Sequence, residues 1–461
     1  MKIAKKFLEE NKPELALERL KEILYGENFS EEWKVHELIG AAFHDMGDAE
    51  GAVQASFNAA KTDTILRNQR RHFSNYLFTL HYLKNIDAEI LLDAAKIYNT
   101  LYRDNSLLLT PNSSLNKKIH VAFLSPNFCD SSSARFYETL LTDYDREKFF
   151  VTAWSLSSDE DNFTKKIRRN VDDYFNISEI SFEEAAQMIH ESGADILFDL
   201  GGHTEGGVTL QIVGYKPARI QISGIGYFDT TGLDAVDFYM TDNFLIKGNE
   251  KFFTEQILPL ENIFAFKPNE KMIHAKNNLQ RINKNFTFGC LNNFMKITDE
   301  YLNCVKKILE SVPNSKIIFR DTTPLKSRQN FLIERIKLAD IPINRVEILR
   351  GADNFFDDYA QIDLMLDTFP YTGGMMTALS IYMGVPVLNL FGKIHSQRLG
   401  ADMLRIAGLE NFIVKNIDDY VKFAVNFAEN PIKISPKDKL FNTENFVKEF
   451  YNALEEVIKF A

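Results

Sequence analysis

The sequence lacks the marks of several large protein classes. Only three cysteines occur in 461 residues, Cys129, Cys290 and Cys304, and none forms a CxxC pair. This usage predicts a reduced, cytoplasmic compartment and no structural zinc site. The sequence has no uninterrupted apolar run of about 18 residues, and its charged N-terminal segment has no apolar core of the kind that signal peptides carry. We therefore expect neither a membrane span nor a secretory signal.

A concentrated block of positive charge is also missing. Aspartate and glutamate outnumber lysine and arginine by 64 to 53, the net charge is −11, and the basic residues are scattered along the chain. This distribution argues against nucleic acid or an anionic membrane as the main partner. The hydrophobic content of 45% is that of an ordinary globular protein, and the length predicts roughly three domains. Oligomeric state stays open, and a homo-oligomer is compatible with the sequence.

Residues 1–110 show helical spacing of apolar positions and no strand pattern. The segments EEWKVHELIGAAFHDMG and DAEGAVQASFNAAKTD look like a tetratricopeptide-type helix pair. Such pairs cannot cover their own apolar faces, and too few are present for a free-standing solenoid. We expect this block to pack on the following domain and to keep a concave groove for a peptide or protein partner. The polar stretch TPNSSLNKK, residues 110–118, marks its end.

From residue 119 short apolar strands alternate with helical segments, which predicts an α/β fold with parallel sheets. Two Rossmann-like domains are expected, at 119–270 and 285–461, the second including a C-terminal helix. Ligands bind at the carboxyl ends of parallel strands, so we expect sites there and a cleft between the two sheets. The expected strands are IHVAFLSP, FFVTAWSLS, ADILFDLGG and ARIQISGIGY in the first domain, and FTFGCLN, SKIIFRD, RVEIL, IDLMLD and VPVLNLF in the second.

Five motifs follow one another along the chain: DLGGHTEGG, QISGIGYFDTTGLDAVDFYMTD, FTFGCLNNFMKITDE, LDTFPYTGG and YMGVPVLNLFGKIHSQRLGA. In these motifs the sequence resembles the O-GlcNAc transferase / SPINDLY family. The resemblance implies tetratricopeptide repeats joined to two Rossmann-like domains of the GT-B type. It also implies inverting transfer of a sugar from a nucleotide-sugar, UDP-GlcNAc-like, to a serine, threonine or similar side chain of a protein or peptide. No DxD-type carboxylate pair ends a strand near the expected phosphates, so we expect no metal and no further cofactor.

The expected donor site lies in the second Rossmann-like domain. A departing nucleoside diphosphate builds negative charge, which cationic side chains and helix N-termini stabilise. Gly373 and Gly374 follow the strand IDLMLD and open a predicted helix, so their backbone can approach a diphosphate. The resemblance places the family's essential lysine at Lys296. Further candidates for contacts to phosphate or sugar are Asn292, Asn293, Met375, Met376, Thr377 and Arg398.

These candidates also have structural interpretations. The asparagines suit a turn or a helix cap, the glycines a tight turn, Thr377 a bond to its own helix, and Arg398 a surface ion pair. In the first domain, the resemblance selects His203 as a catalytic candidate, Thr204 for the sugar or acceptor, and the Gly226–Tyr227 turn for the donor. Asp130, in SPNFCDSSSAR, is a candidate base for the acceptor hydroxyl, although helix capping is its default role and a donor phosphate oxygen can take that proton instead.

Several positions depart from the family pattern. Ser131 and Phe355 stand where the family usually has histidines, and Met375, Met376 and Leu379 replace the hydroxyl residues and the acid that follow the glycines. The substitutions leave the backbone amides and Lys296 able to bind a diphosphate, but they remove expected contacts to the ribose and base. Three interpretations stay open: a different donor, a rearranged donor pocket, or a member that has lost catalysis and serves as a binding partner or chaperone. We favour an active glycosyltransferase because Lys296, GHT and the glycine turn are all retained.

Overall fold

The computed structural model describes residues 1–26, 31–103, 105, 118–280, 285–321, 323, 325–349 and 355–460. The expected boundary at 110–118 therefore lies outside the described residues, apart from Lys118. The chain divides into two compact units. The C-sheet unit comprises Met1–Asp63, Thr79–Ile86 and Pro268–Asp438, and the N-sheet unit comprises Thr64–Phe78, Asp87–Lys267 and Lys439–Ala461.

The helices of the described residues follow the predicted helical block and then alternate with the strands. They are α1 (Lys2–Glu9), α2 (Pro13–Leu24), α3 (Glu32–Met46), α4 (Ala49–Thr62), α5 (Leu66–Leu80), α6 (Ala88–Thr100), α7 (Ala134–Thr142), α8 (Asn162–Asn170), α9 (Phe182–Glu191), α10 (Val208–Val213), α11 (Asn243–Ile246), α12 (Glu270–Asn278), α13 (Asp299–Ser311), α14 (Lys326–Leu338), α15 (Met375–Tyr382), α16 (Leu399–Ile406), α17 (Ile417–Glu429) and α18 (Thr443–Phe460).

The strands form two parallel sheets. They are β1 (Ile119–Ser125), β2 (Phe149–Ser155), β3 (Asp173–Asn176), β4 (Ile196–Asp199), β5 (Ile220–Ser223), β6 (Phe238–Asp242) and β7 (Gln256–Leu260) in the N-sheet unit, and β8 (Thr287–Cys290), β9 (Lys316–Phe319), β10 (Val346–Ile348), β11 (Leu364–Leu366), β12 (Val387–Leu390) and β13 (Ile413–Val414) in the C-sheet unit.

Helices α1 to α4 pack in the C-sheet unit through small and aliphatic side chains. Ala16, Leu20, Val35 and Ala42 are almost fully buried in one cluster. The turn between α3 and α4 is made by Gly47, which ends α3 at a φ of +80°, and by Asp48, whose side chain accepts from the Gly51 N–H at 3.1 Å. A left-handed glycine followed by an aspartate N-cap is a strong helix–turn–helix signal. The predicted helical block is therefore confirmed.

Each sheet has one topological switch point. The order is β3-β2-β1-β4-β5-β6-β7 in one sheet and β10-β9-β8-β11-β12-β13 in the other. The chain order therefore reverses between β1 and β4, and again between β8 and β11. The loops that leave the carboxyl ends of such strand pairs form the crevice in which doubly wound sheets bind ligands. The predicted α/β fold class is confirmed by this topology.

The compact units differ from the expected domains. The helical block is not separate, because most of it belongs with the C-terminal sheet while α6 belongs with the N-terminal sheet. Helix α18 was expected in the C-terminal domain and instead belongs to the N-sheet unit. There Phe450 stacks on Phe123 with ring centroids 6.0 Å apart, and the Tyr451 hydroxyl donates to Leu140 O. An amphipathic helix packs wherever its apolar stripe finds a matching surface, which its position in the chain does not reveal.

Four strands were missed, namely β3, β6, β7 and β13. Three of them are edge strands, and all have five residues or fewer. The segment NFFDDYAQ was expected as a helix, but residues Phe355–Gln361 form a 3₁₀ helix. Its two adjacent aspartates favour turns over helix interiors. None of the described helices is long and apolar enough to cross a membrane.

The packing of α18 on the N-terminal sheet leads to a stability prediction. Phe450 is fully buried and lies against Phe123 and Phe198. Phe450→Ala should lower the free energy of unfolding by about 3–5 kcal/mol in urea denaturation, because it leaves a cavity in that core. Asn452→Ala, on the exposed face of the same helix, should change it by less than about 0.5 kcal/mol. Equal effects of the two substitutions would contradict this placement of α18.

Candidate functional site

In the N-sheet unit, His203 and Thr204 lie in the loop that follows β4. His203 is fully buried: its Nδ1 is 2.9 Å from Ser74 Oγ, and its Nε2 is 3.0 Å from Thr231 O. A carbonyl oxygen only accepts, so Nε2 carries the proton and Nδ1 accepts from the serine hydroxyl. Burial lowers the pKa of His203 to about 3, which keeps the ring neutral near pH 7. Thr204 Oγ1 donates to Gly201 O at 2.6 Å. His203 therefore ties its loop to α5 and to the loop after β5, Thr204 bonds within its own loop, and the roles of both residues in catalysis or binding stay predictions.

Gly226 and Tyr227 form a strained turn after β5. The Gly226 N–H donates at 2.7 Å to the carbonyl two residues before it, which closes a tight turn around Ile225. The φ of Ile225 is +66°, a conformation that β-branched residues rarely adopt. A Cβ on Gly226 would lie 1.7 Å from Leu200 O, so only glycine fits here. Tyr227 is buried as a core residue. A donor contact at this turn would therefore come from backbone atoms.

Asp130 lies in the loop after β1 and is exposed. Its carboxylate is 3.1 Å from the guanidinium of the buried Arg135, and its N–H donates to Asp161 Oδ2 at 2.8 Å. Ser131, one of the departures from the family pattern, accepts weakly from the Ala134 N–H at 3.4 Å. The assignment of Asp130 as a base remains a prediction.

In the C-sheet unit, the buried carboxylate of Asp367 organises the switch point. Asp367 comes directly after β11 and is 1% exposed. It accepts from the Gly373 N–H at 2.7 Å, from Asn292 Nδ2 at 2.9 Å and from Asn389 Nδ2 at 2.8 Å. These donors lie after β11, after β8 and within β12. One carboxylate therefore holds the ends of three neighbouring strands together.

Lys296 lies beside the glycine turn. It ends a 3₁₀ turn after β8, and its Nζ donates to Thr372 O at 2.6 Å and lies 4.0 Å from the ring centroid of Tyr371. Tyr371 and Thr372 immediately precede Gly373. Burial lowers the pKa of Lys296 to about 8, and the nearby Asp367 carboxylate opposes this shift. The ammonium is thus held, mostly protonated at pH 7, next to the loop that the sequence assigned to phosphate.

The glycine turn and the start of α15 provide backbone donors. A Cβ on Gly373 would lie 2.6 Å from Thr377 Oγ1 and 2.9 Å from an Asp367 oxygen, so this position is packed. A Cβ on Gly374 would meet nothing within 4 Å, so the backbone is open there. The amides of Gly374, Met375 and the next residue begin the helix and have no acceptor inside it. The Thr377 hydroxyl is buried and points to Asp367 at 3.4 Å.

The remaining candidates of this unit have structural partners. Asn293 Oδ1 accepts from the Met295 N–H at 3.0 Å and from Arg328 Nη1 at 2.8 Å. Arg398 donates to the carbonyls of Gly392 and Lys393 at 3.1 and 2.8 Å. Arg398 therefore folds onto the loop after β12, and a contact from it to a phosphate stays a prediction.

Two of the departures from the family pattern, Phe355 and Met376, form an apolar cluster around the buried Tyr359 in the C-sheet unit. The Phe355 ring packs 6.4 Å from the buried ring of Tyr359, whose hydroxyl is 3.9 Å from Met376 Sδ. Leu379 is fully buried, whereas Met375 is partly exposed. Met376 and Leu379 therefore pack into the protein, where they offer no hydroxyl or carboxylate to a ligand.

The aromatic contacts of Tyr371 were not predicted from the sequence. Its ring is 8% exposed and lies 5.4 Å from the ring of Tyr82 and 5.8 Å from that of His81. His81 Nδ1 is in turn 2.9 Å from Ser396 Oγ. His81 and Tyr82, in the segment Thr79–Ile86 of the helical block, thus pack against the same tyrosine ring that Lys296 contacts. No local pattern indicates such contacts, because they join residues hundreds of positions apart.

Comparisons with known proteins agree with this fold and these motifs. The model of glycosyl transferase family 41 matches residues 87–264 and 263–444. The chain belongs to glycosyl transferase family 41. The resemblance to the O-GlcNAc transferase / SPINDLY family is thereby confirmed.

Two of the similar curated proteins are from plants. A probable UDP-N-acetylglucosamine–peptide N-acetylglucosaminyltransferase SPINDLY from Arabidopsis thaliana is 31% identical over 69% of this chain and 36% of its own length. One of the same name from Hordeum vulgare is 29% identical over 79% of this chain and 40% of its own length. The chain therefore spans between a third and two fifths of these two curated relatives.

A solved structure supports the fold. An O-GlcNAc transferase mutant from Thermobaculum terrenum matches 98% of this chain and 84% of its own, with a TM-score of 0.79 and 21% identity. The match confirms a GT-B type arrangement of a helical block followed by two Rossmann-like domains.

The buried His203 predicts a specific dependence of stability on pH. Its pKa lies near 3 in the folded chain and near 6.5 in the unfolded chain, so between these values only the unfolded chain takes up the proton. Stability is therefore lost as the pH falls through this window. His203→Gln should reduce the change in the free energy of unfolding per pH unit by up to about 1.4 kcal/mol, measured by urea denaturation between pH 7 and 4. An unchanged slope would show that His203 is not held neutral by burial.

Proposed function

We propose that the protein transfers a sugar from a nucleotide-sugar, UDP-GlcNAc-like, to a hydroxyl side chain of a protein or peptide. One observation carries the donor half: the Lys296 ammonium lies against the residues just before Gly373, at a switch point where a helix begins. A cation, open backbone amides and a helix N-terminus together suit a diphosphate. The names of the plant relatives support the sugar and the acceptor.

Lys296 stabilises the leaving group in this proposal. Breaking the bond between the sugar and the diphosphate leaves negative charge on phosphate oxygen, and a partly desolvated ammonium interacts with that charge more strongly than a hydrated one. A bound diphosphate favours the protonated lysine, so its pKa rises from about 8 on binding. In the unliganded protein Thr372 O occupies the position of this acceptor. Donor binding should weaken as the pH rises above about 8, where the unliganded lysine loses its charge.

The part of the proposal that concerns the acceptor hydroxyl rests on fewer observations. His203 is neutral with both ring nitrogens bonded, and Asp130 is exposed and paired with Arg135. Because both ring nitrogens of His203 and the Asp130 carboxylate already have partners, we assign the uptake of the acceptor proton to an oxygen of the donor phosphate. Attack of the acceptor hydroxyl opposite the leaving group inverts the sugar carbon. We further propose a protein or peptide acceptor bound along the helical block, a reaction without a metal ion, and a cytoplasmic location.

A second function is favoured by the apolar cluster around Tyr359. Met376 and Leu379 pack inward at positions where the family binds the ribose, and such a loss suits a member that captures a peptide or another glycosyltransferase without chemistry. The two functions differ in one property, because only the enzyme consumes a donor. We favour the enzyme, since a buried lysine with a lowered pKa is costly to keep for packing alone.

The proposal is tested with the purified full chain and a panel of nucleotide-sugars, followed by release of nucleoside diphosphate with and without a peptide mixture. Lys296→Met should lower turnover by about 100-fold or more. Lys276→Met is the matched control, because Lys276 also lies 4.0 Å from a tyrosine ring, that of Tyr382, but away from the switch point. It should leave turnover unchanged. A chelating agent should have no effect.

Stability measurements separate a functional lysine from a packing one. Lys296→Met should leave the protein folded, because methionine keeps a long, largely apolar side chain against the Tyr371 ring. Turnover with no member of the panel, together with no diphosphate binding at millimolar concentration, would overturn the enzyme proposal. A loss of turnover that is matched by a loss of folding in Lys296→Met would remove its support from Lys296.

A further inference from the structure

Arg328, on α14 of the C-sheet unit, is a fully buried arginine to which the proposed function assigns no role. Its Nη1 donates to Asn293 Oδ1 at 2.8 Å and to Asp321 Oδ2 at 3.3 Å. Its Nη2 lies 3.8 Å from Met295 Sδ. Three neighbours of one guanidinium therefore lie in or beside the short turn that ends at Lys296.

Both oxygen acceptors of Arg328 also bind the backbone of that turn. Asn293 Oδ1 accepts from the Met295 N–H at 3.0 Å and caps the 3₁₀ turn Phe294–Lys296. Asp321 Oδ2 accepts from the Phe294 N–H at 3.3 Å. The guanidinium thus fixes the two oxygens that fix the turn. An arginine suits this task because its planar fork holds Nη1 towards both oxygens while Nη2 faces Met295 Sδ, a set geometry that a lysine ammonium cannot reproduce.

The stability of the fold alone does not explain why a charged arginine is buried at this position. Burying a guanidinium and a carboxylate costs desolvation energy that their attraction often only just repays, so an apolar pair of similar size would serve packing as well. The side chains of Arg328 and Asp321 are 0% and 1% exposed, and Arg328 Nε has no hydrogen-bond partner among the described residues. The charge is therefore retained at a cost, which is typical of a group with a positioning role.

The same arginine contacts the helical block. Its Nη2 lies 3.3 and 3.4 Å from the two ring nitrogens of His44, near the end of α3. The neighbouring Ser327 hydroxyl donates to the carbonyl of Asp45. Helix α3, the Arg328 guanidinium and the Lys296 turn therefore form one continuous chain of contacts within the C-sheet unit.

We propose that Arg328 is a positioning residue that holds the Asn293–Lys296 turn, and with it the Lys296 ammonium, in the geometry that meets the donor diphosphate. The expected effect of Arg328 on turnover rests on the proposed function. Its expected effect on the position of the Lys296 ammonium does not. Arg328 acts through Asn293 and Asp321 and touches no reacting atom.

The first test needs no substrate. The pH dependence of reductive methylation at Lys296 is followed in the full chain by peptide mass spectrometry. Arg328→Lys keeps the charge but loses the fork, and Arg328→Met loses both. If the fork holds the turn, both variants should hydrate the ammonium and raise its midpoint by about one pH unit. Asn293→Ala should raise the midpoint of Lys296 in the same way. This variant replaces the arginine variants in the test if they fail to fold.

A matched control separates local from general effects. Arg345 also binds several acceptors, the carbonyls of Leu309, Val312 and Ser315, but these lie near the C-terminal end of α13, away from Lys296. Arg345→Met should leave the Lys296 midpoint unchanged. A shift in Arg328→Met without one in Arg328→Lys would mean a charge effect and overturn the positioning role. Unchanged midpoints in folded Arg328→Lys and Asn293→Ala would overturn it as well.

The second test uses turnover. Arg328→Lys should lower kcat for donor cleavage by roughly 10- to 100-fold and leave the donor KM within a few-fold, as expected when a reacting group is misplaced. Arg328→Met combined with Asn293→Ala should be no worse than the more damaging single variant, because both break one contact. Additive losses would overturn the proposal. If the wild-type chain turns over no donor, the proposed function fails, and the methylation test still decides the role of Arg328.

Discussion

The carboxylate of Asp367 is the interaction on which the candidate site depends. It is buried where β11 ends, and it binds donors from the loop after β8, from its own loop and from β12. Burial raises its pKa, while the N–H donors and the nearby Lys296 act against this rise. A buried carboxylate is tolerable only with such partners, because each unpaired oxygen would cost a desolvation penalty. The Asp367 carboxylate therefore holds together the glycine turn and the loop after β8 that carries Lys296.

The N-terminal sheet uses the same construction. Asp199 ends β4, the strand just past the switch point of that sheet, and is also 1% exposed. It accepts from the N–H groups of Gly201 and Gly202 at 2.8 and 3.0 Å and from Ser223 Oγ at 2.9 Å. Each unit therefore places a buried aspartate below a glycine-containing loop. In the N-sheet unit the loop carries the buried His203, whereas in the C-sheet unit it carries Gly374, where a Cβ would meet nothing within 4 Å.

Much of this arrangement could be predicted from the sequence. Nine of the described strands were predicted from their short apolar runs, the glycine turn was recognised after β11, and the resemblance to a known family selected Lys296 in the loop after β8. Short edge strands such as β13 carry too few residues for a pattern. The placement of α18 and the contacts of Tyr371 and Arg328 depend on which surfaces meet in three dimensions. The burial of His203 was hidden for the same reason, since its partner Ser74 lies on α5, far away along the chain.

The structure of the protein with a bound nucleoside diphosphate tests the central claim most directly. We expect the phosphates on the amides of Gly374 to Met376 at the start of α15, with Lys296 Nζ turned from Thr372 O to a phosphate oxygen. Phosphates bound elsewhere, with Lys296 still bonded to Thr372, would contradict the account.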